Sequence, residues 1–222
     1  MEVLRRLHND RKRQLIKKWV APGASVLDCG CGRGGDWHKW KAVRANVSAI
    51  DPDPASLAEA ESRAREMGFP VRFLGTGDIR QVTDTYDVVC YNFSLHYIFE
   101  NQTTAQESLD AIQRAVKPGG LLIGIAPEQE RAEYLTNGDL FKDPLGNTLE
   151  IKDDRLWVSL TDGPFYADGP KSEPLLNAFN LKHAMSFRGF ERLVWEPMLP
   201  VPNGHVSDLY SAFVFQKNID TK

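Results

Sequence analysis

The sequence has few cysteines, no long apolar run and no excess of positive charge. Its three cysteines cannot all pair, and no second Cys/His pair has ligand spacing, so we expect reduced thiols inside the cell and no metal site. No segment approaches the ~20 apolar residues of a membrane-spanning helix, and the charged N-terminus lacks the apolar centre of a secretory signal. The net charge of −3 argues against broad binding to a nucleic-acid backbone.

Strand-like and helix-like segments alternate through the first 126 residues. Strands are predicted at 25–28, 46–50, 71–74, 86–93 and 121–126, with helices at 34–43, 52–67 and 104–116 between them. Two late strands, 192–195 and 212–215, are expected to complete the sheet, the last of them antiparallel. This order predicts a Rossmann-like, doubly wound, mostly parallel seven-stranded sheet with helices on both faces.

Three further segments complete a single expected domain over residues 1–222. Residues 2–20 read as an amphipathic helix whose arginines and lysines form either a solvated face or a basic rim for an anionic substrate. Residues 137–172 are rich in glycine and proline and predict a β-hairpin insertion beside the active site, with strands at 148–151 and 156–160. Residues 172–185 look helical, with Pro174 in the first turn.

The most informative stretch is the glycine-rich segment 26–36, VLDCGCGRGGD. An apolar run, an acid and closely spaced glycines predict a strand that leads into a tight turn and then a helix. Such a turn brings backbone amides close to a ligand. The spacing of Gly30, Gly32 and Gly35 also satisfies the dinucleotide fingerprint, so the turn alone leaves NAD, another nucleotide and S-adenosylmethionine open.

Four acceptor side chains follow consecutive predicted strands. They are Asp28, Asp51, Asp78 and Asn92. Each could be a simple helix cap or turn residue. Together they lie where open α/β sheets bind ligands, and NAD makes no demand on Asp28 or Asp78. An acid-lined pocket without a phosphate site suits a sulfonium cofactor, which favours a class I methyltransferase using S-adenosylmethionine.

The motifs together resemble the mRNA cap guanine-N7 methyltransferases. The glycine segment with Lys39-Trp40 is similar to that family's VLDLGCGKGGDLLKW, residues 8–12 to NNWIK, and residues 92–97 to QFVCHY. Residues 117–127 resemble LSPGG…GTTP, residues 172–176 the region of the cap-binding glutamate, and residues 210–215 the terminal YLVFAF. The likeness runs in order from residue 5 to 217. The small size of the chain, with Met1 directly before the basic helix, suggests an excised domain of a larger capping enzyme, such as a viral one.

The resemblance implies a role for each matched position. Cofactor-binding residues are expected to be Lys12, Asp28, Gly30, Asp51, Asp78, Asn92 and Tyr97. Cap-binding residues are expected to be Arg33, Lys39, His96, Glu173 and Tyr210. In this reading Lys12 reaches the methionine carboxylate, Asp51 the ribose and Asp78 the adenine. Glu173 accepts from the guanine edge, with His96 and Tyr210 beside the base.

Methylation of guanine N7 requires no catalytic base, because N7 attacks through a free lone pair. The expected substrate is 5′-capped RNA, with other capping-enzyme domains or a stimulatory subunit as further partners and no membrane. The expected location is the nucleus, or the cytoplasm or virion for a viral enzyme. Three alternatives stay open: another class I methyltransferase, a non-catalytic subunit of a capping complex, and an NAD oxidoreductase.

Overall fold

The computed structural model describes residues 2–161 and 169–219, which form two β-sheets. The strands of the larger sheet are β1 (Ser25–Cys29), β2 (Asn46–Asp51), β3 (Val71–Thr76), β4 (Tyr86–Asn92), β5 (Val116–Pro127), β10 (Phe190–Pro197) and β11 (Tyr210–Lys217). They lie in the order β10-β11-β5-β4-β1-β2-β3, and β11 is antiparallel to both of its neighbours. The predicted doubly wound seven-stranded sheet is confirmed.

Helices cover both faces of this sheet. They are α1 (Glu2–Trp19), α2 (Trp37–Ala42), α3 (Pro54–Glu66), α4 (Gln102–Ala115), α5 (Gln129–Thr136) and α6 (Ala178–Phe187). Helices α1 to α3 bury Ile16, Trp37 and Trp40 in the core on one face, whereas α4 and α6 bury Ile112 and Met185 on the other. Across the described ranges, no helix combines the length and apolarity needed to span a membrane.

Strand β1 pairs in parallel with β2 on one side and with β4 on the other. The order in which strands are added therefore reverses at β1, and a crevice opens outside the carboxyl ends of β1 and β4. Ligands of doubly wound sheets bind at such a reversal. The glycine segment leaves β1 at this point, so the fold puts the predicted ligand loop at the expected edge.

The insertion is larger than a hairpin. Strands β7 (Thr148–Lys152) and β8 (Arg155–Ser159) form the predicted hairpin, and β6 (Phe141–Lys142) and β9 (Lys171–Pro174) extend it to four antiparallel strands. Leu149, Leu156 and Val158 are fully buried in the core that α1 to α3 share. Residues 162–168 of the predicted insertion lie outside the described residues.

The prediction of a helix over residues 172–185 is wrong in its first half. Glu173 lies in β9, where it pairs with Leu156 of β8, and α6 begins only at Ala178. The actual N-cap is Asn177, whose side chain accepts a hydrogen bond from the Asn180 amide. Pro174 ends the strand instead of opening a helix, because pairing with β8 extends the chain there.

Candidate active site

The glycine turn approaches the loop after β4 very closely. Gly30 has a φ of +69°, and a β-carbon placed there would lie 2.6 Å from the side chain of Ser94. The Ser94 hydroxyl in turn donates to the carbonyl of Cys29 at 2.7 Å. Glycine is therefore required at position 30 for both its backbone angle and the lack of a side chain.

Asp51, at the end of β2, holds the same turn from the other side. Its Oδ2 accepts from the Gly32 amide at 2.7 Å, and its Oδ1 accepts from the Asp53 amide at 2.9 Å. The side chain is 6% exposed and lies against the turn. A carboxylate oxygen offers two lone pairs, so Asp51 keeps the capacity to accept further hydrogen bonds from a ligand hydroxyl.

Asp36, at the start of α2, is the centre of a buried charged cluster. Its Oδ1 lies 2.7 Å from the ammonium groups of both Lys12 and Lys39, and its Oδ2 accepts from Asn92 Nδ2 at 3.0 Å. Burial alone would raise the pKa of Asp36, but the two ammonium groups outweigh it and hold that pKa below its ordinary value. We call Asp36, Lys12, Lys39 and Asn92 the Asp36 cluster.

The Asp36 cluster fits the predicted cofactor in one specific respect. Asn92 Oδ1 is buried and has no hydrogen-bond partner among the described residues. An orphaned buried acceptor is costly unless a ligand donor meets it. The amino-acid part of S-adenosylmethionine has an ammonium for such an acceptor and a carboxylate for Lys12. Lys39 is only 5% exposed and also donates to Asn9 and to the Gly35 carbonyl.

Asp28 is a buried residue of β1, two positions before Gly30. It is 3% exposed, and Oδ2 accepts from the Trp40 indole at 2.8 Å. Burial, reinforced by the negative charge of Asp36, raises the pKa of Asp28 to about 7. The carboxyl group thus ties β1 to α2, and its protonation state is sensitive near neutral pH.

Two of the predicted residues lie at the rim with partners of their own. Arg80 holds the Asp78 carboxylate through a 2.8 Å ion pair, and this interaction lowers the pKa of Asp78. Arg33 is half exposed and lies 3.3 Å from Glu59 of α3. A ligand amine at Asp78 would share the carboxylate with Arg80, and an anion at Arg33 would compete with Glu59.

Glu173 is the centre of a second buried group. The Tyr97 hydroxyl donates to its Oε1 at 3.1 Å, and His96 Nε2 lies 3.2 Å from its Oε2. Glu173 and His96 are 3% and 2% exposed. The His96 contact has an ion-pair distance but not hydrogen-bond geometry, so neither ring nitrogen is hydrogen-bonded within the described chain. We call Glu173, His96 and Tyr97 the Glu173 cluster.

Aromatic rings join α1 to the Glu173 cluster. Phe93 contacts Tyr210 edge-on at 4.9 Å and stacks on His8 at 5.3 Å, and Lys12 Nζ lies 5.7 Å from the Phe93 ring centre. Phe93 has a φ of +63°, an unusual angle for a bulky residue and one associated with functional sites. Burial and the charge of Glu173 raise the pKa of Tyr210, so its hydroxyl stays protonated.

The structure places six of the twelve predicted residues in the two clusters: Lys12, Lys39 and Asn92 around Asp36, and His96 and Tyr97 beside Glu173. Tyr97, predicted to line the cofactor, donates its hydroxyl to the Glu173 cluster. No role was predicted for Asp36, His8 or Phe93, although all three lie inside motifs that resemble the family. The predicted helix at 34–43 placed Asp36 inside the helix and not at its N-cap, and nothing local marked His8 or Phe93 as neighbours.

Comparison with known proteins identifies the same family that the motifs resemble. Residues 1–149 match the model of the mRNA (guanine-N(7))-methyltransferase domain. The mRNA cap guanine-N(7) methyltransferase of Cryptococcus neoformans is 34% identical over 152 residues, which cover 61% of this chain and 22% of that protein. That of Saccharomyces cerevisiae is 35% identical over 150 residues, covering 60% of this chain and 34% of that protein. Both relatives are fungal, and neither supports the predicted viral origin.

Solved structures share the fold over nearly the whole chain. An S-adenosylmethionine-dependent methyltransferase from Clostridium acetobutylicum superposes with a TM-score of 0.71 at 15% identity, covering 96% of this chain and 92% of that one. The likeness includes the region after residue 149, where β10 and β11 complete the sheet.

Proposed function

The chain belongs to the mRNA (guanine-N(7))-methyltransferase family, and from this we propose that it transfers a methyl group from S-adenosylmethionine to N7 of the cap guanine. The chain matches only 22% and 34% of the length of the two curated relatives described above. The activity, the substrate and the partners are therefore proposals for this chain.

The observation that carries the proposal is the buried Glu173 carboxylate. Guanine presents N1–H and N2–H on one edge, and a single carboxylate can accept from both. The Tyr97 hydroxyl donates to Glu173, and the charge of this carboxylate opposes any loss of the Tyr210 proton. A base that brought two donors to this carboxylate would lie beside the rings of Tyr97 and Tyr210.

The Asp36 cluster and the glycine turn are proposed to hold the cofactor. Lys12 would bind its carboxylate, Asn92 Oδ1 its ammonium, Asp51 the ribose hydroxyls and Asp78 the adenine amine. Gly30 would contact it through the backbone. When bound, S-adenosylmethionine supplies a methyl group on a positively charged sulfur.

No residue is required to remove a proton, because guanine N7 attacks through its lone pair. The task of Glu173, His96 and Tyr210 is to hold the base so that N7 faces the methyl donor, and such positioning contributes up to about 7–11 kcal/mol in favourable systems. Arg33 would meet the triphosphate bridge at the rim. Lys39 could join it only by giving up one of its three oxygen partners.

The decisive experiment offers a panel of methyl acceptors to the purified protein. We expect methylation of the cap dinucleotide GpppA at N7 and none of unrelated acceptors, with GTP as a minimal guanine acceptor. Transfer only to unrelated acceptors would instead indicate another class I methyltransferase. Failure to bind S-adenosylmethionine in calorimetry would indicate a non-catalytic subunit. Binding of NAD instead of S-adenosylmethionine would indicate an oxidoreductase.

Glu173→Ala tests the cap site itself. Two hydrogen bonds to a charged acceptor are worth about 1.5–3 kcal/mol each, so kcat/KM for GpppA should fall on the order of 100-fold or more. The affinity for S-adenosylmethionine should be unchanged. Glu150→Ala, an exposed glutamate of the same insertion, is the matched control. A fully active Glu173→Ala variant would refute this cap-site assignment.

An RNA-capping role places the protein inside the cell, in the nucleus or, for a viral enzyme, in the cytoplasm or virion. Other capping-enzyme domains or a stimulatory subunit are its proposed protein partners. Copurification from a capping-competent extract, followed by activity measurements with each recovered partner, tests this part of the proposal.

A further inference from the structure

A groove lined by several basic residues runs along one face of α1. It is a cavity of about 600 Å³ between α1, the glycine turn with α2, and the end of α3. Its lining includes the cationic side chains of Arg5, Arg6, Arg13, Lys39 and Arg63, together with His38. The carboxylates of Asp10 and Glu66 line it as well, so among the described lining residues the positive side chains outnumber the negative ones, on a chain whose net charge is −3.

The helical repeat of α1 places two arginines in a row along this groove. Arg5, Asn9 and Arg13 are spaced four residues apart and share one face of α1. At 1.5 Å per residue the row is roughly 12 Å long, which matches about three nucleotides of a stacked single strand. Arginine guanidinium groups bind phosphate oxygens through paired donors, which makes them suited to a nucleic-acid backbone.

The same helix connects the groove to the two clusters. On the neighbouring face of α1, Lys12 binds Asp36 and His8 stacks on Phe93. Lys39 lines the groove and also belongs to the Asp36 cluster. Gly34 and Gly35 of the turn lie in the groove wall directly before Asp36. A chain leaving the Glu173 cluster past α1 would thus meet the groove.

We propose that this groove binds the phosphate backbone of the RNA just downstream of the cap, with Arg5 and Arg6 as its outer contacts. The inference rests on the proposed function for its substrate and deepens it from a cap nucleotide to a capped RNA chain. A short contact of this kind is compatible with a net charge of −3, because it requires only a local excess of cationic side chains. Recognition of phosphate oxygens by arginine is independent of base sequence. The affinity of the groove should therefore depend on the length of the RNA and not on its sequence.

The kinetic test compares GpppA with a capped RNA of ten nucleotides. The wild-type KM should be about tenfold lower for the RNA, as expected for a few added phosphate contacts. In Arg5→Ala/Arg6→Ala this advantage should largely disappear, while the values for GpppA stay the same. Lys17→Ala/Lys18→Ala is the control, since it removes two exposed cations from the same helix outside the groove.

A binding test is independent of methyl transfer. Fluorescence anisotropy with an uncapped ten-nucleotide RNA should show affinity that falls with salt, with a shallower salt dependence for Arg5→Ala/Arg6→Ala. Lack of methyl transfer to any guanine acceptor would refute the proposed function but leave this measurement meaningful. Equal KM values for GpppA and RNA in the wild type would overturn the groove proposal. The groove proposal would also be overturned if Lys17→Ala/Lys18→Ala lost as much of the RNA advantage as Arg5→Ala/Arg6→Ala. Binding of polyglutamate as tight as that of the RNA would overturn it too.

Discussion

Two buried carboxylates at the same edge of the sheet, Asp36 and Glu173, are compensated in different ways. Asp36 is matched by the two ammonium groups of Lys12 and Lys39. The Glu173 carboxylate accepts from the Tyr97 hydroxyl and lies 3.2 Å from His96 Nε2. The contacts therefore differ in kind, because Asp36 lies between two ammonium groups whereas Glu173 lies beside a phenol and an imidazole.

Breaking the Asp36 cluster should have the largest effect. Asp36→Asn keeps the shape of the side chain but leaves two buried ammonium groups without a counter-charge, which typically costs about 3–5 kcal/mol. We expect the free energy of unfolding in urea to fall by this amount. Asp84→Asn, which removes an exposed ion pair with Arg72, should cost less than about 1 kcal/mol. Similar losses in both variants would contradict the special role of Asp36.

The protonation of Asp28 provides a second contrast in the same region, because within residues 2–161 and 169–219 this buried carboxyl forms no ion pair. Its pKa rises from an ordinary value of 3.8 in the unfolded chain to about 7 in the fold. Between these values the unfolded chain releases the proton and the folded chain keeps it. Its contribution to stability is therefore complete below about pH 4 and lost as the pH rises toward 7.

At about 1.4 kcal/mol per pKa unit, this loss is on the order of 3–4 kcal/mol. Asp28→Asn removes the titrating group but keeps an acceptor for Trp40. The stability of the wild type relative to Asp28→Asn should therefore decrease from pH 4 to pH 7, measured by denaturant unfolding at each pH. A difference that does not change with pH would exclude the raised pKa.

Arg155 tests how the Glu173 cluster is held together. Its guanidinium binds Glu100 at 2.9 and 3.1 Å and donates to the Ser172 hydroxyl at 2.5 Å. It thereby joins β9, which holds Glu173, to the 3-10 helix Leu95–Glu100, which holds His96 and Tyr97. Arg155→Met should displace Glu173 slightly and lower kcat/KM for GpppA about tenfold.

The affinity for S-adenosylmethionine distinguishes a change in the position of Glu173 from a general loss of stability. The affinity of Arg155→Met for S-adenosylmethionine should stay at the wild-type value, and Arg155→Lys should recover part of the lost activity. Arg72→Met, at the far edge of the sheet, is the control. A parallel loss of cofactor affinity would show that Arg155 acts on the whole fold and not on β9.

The smallest change in stability is expected for the removal of the charge on Glu173. Glu173→Gln retains the side-chain volume and one oxygen acceptor while removing a buried charge that lies beside the Tyr97 hydroxyl and the His96 ring. The free energy of unfolding should change by less than about 1 kcal/mol, in contrast to Asp36→Asn. Thermal unfolding of both variants measures this directly. A loss from Glu173→Gln as large as that from Asp36→Asn would show that the two carboxylates are equivalent.

The part of the site around the glycine turn could be predicted from the sequence, because its residues are close together in the chain. Asp51 and Gly30 follow strands whose apolar pattern and bounding turns predict them within one or two residues. The helix after the turn was the less accurate part: it begins at Trp37, not at 34, because the turn continues through Gly35 before Asp36. Local propensity marks such a boundary only approximately.

The Glu173 side was harder because its parts are distant in the chain. Tyr97 and Glu173 are 76 residues apart, and His8 and Ser207, whose side chains lie 2.7 Å apart, are separated by 199. Glu173 was assigned a role by resemblance, but its predicted helical setting was wrong. Strand pairing with β8 is a tertiary interaction, and no local backbone preference around Pro174 predicts it.

The sequence alone determined the alternating strands and helices, the sharp turn at Gly30 and the acceptors at the strand ends, because backbone preference and apolar periodicity act over a few residues. Only the tertiary structure decided that Asp36 would lie between Lys12 and Lys39 while Glu173 would lie beside Tyr97 and His96. Charge compensation depends on which side chains the folded sheet brings within about 3 Å, and that is a property of the packing of distant segments.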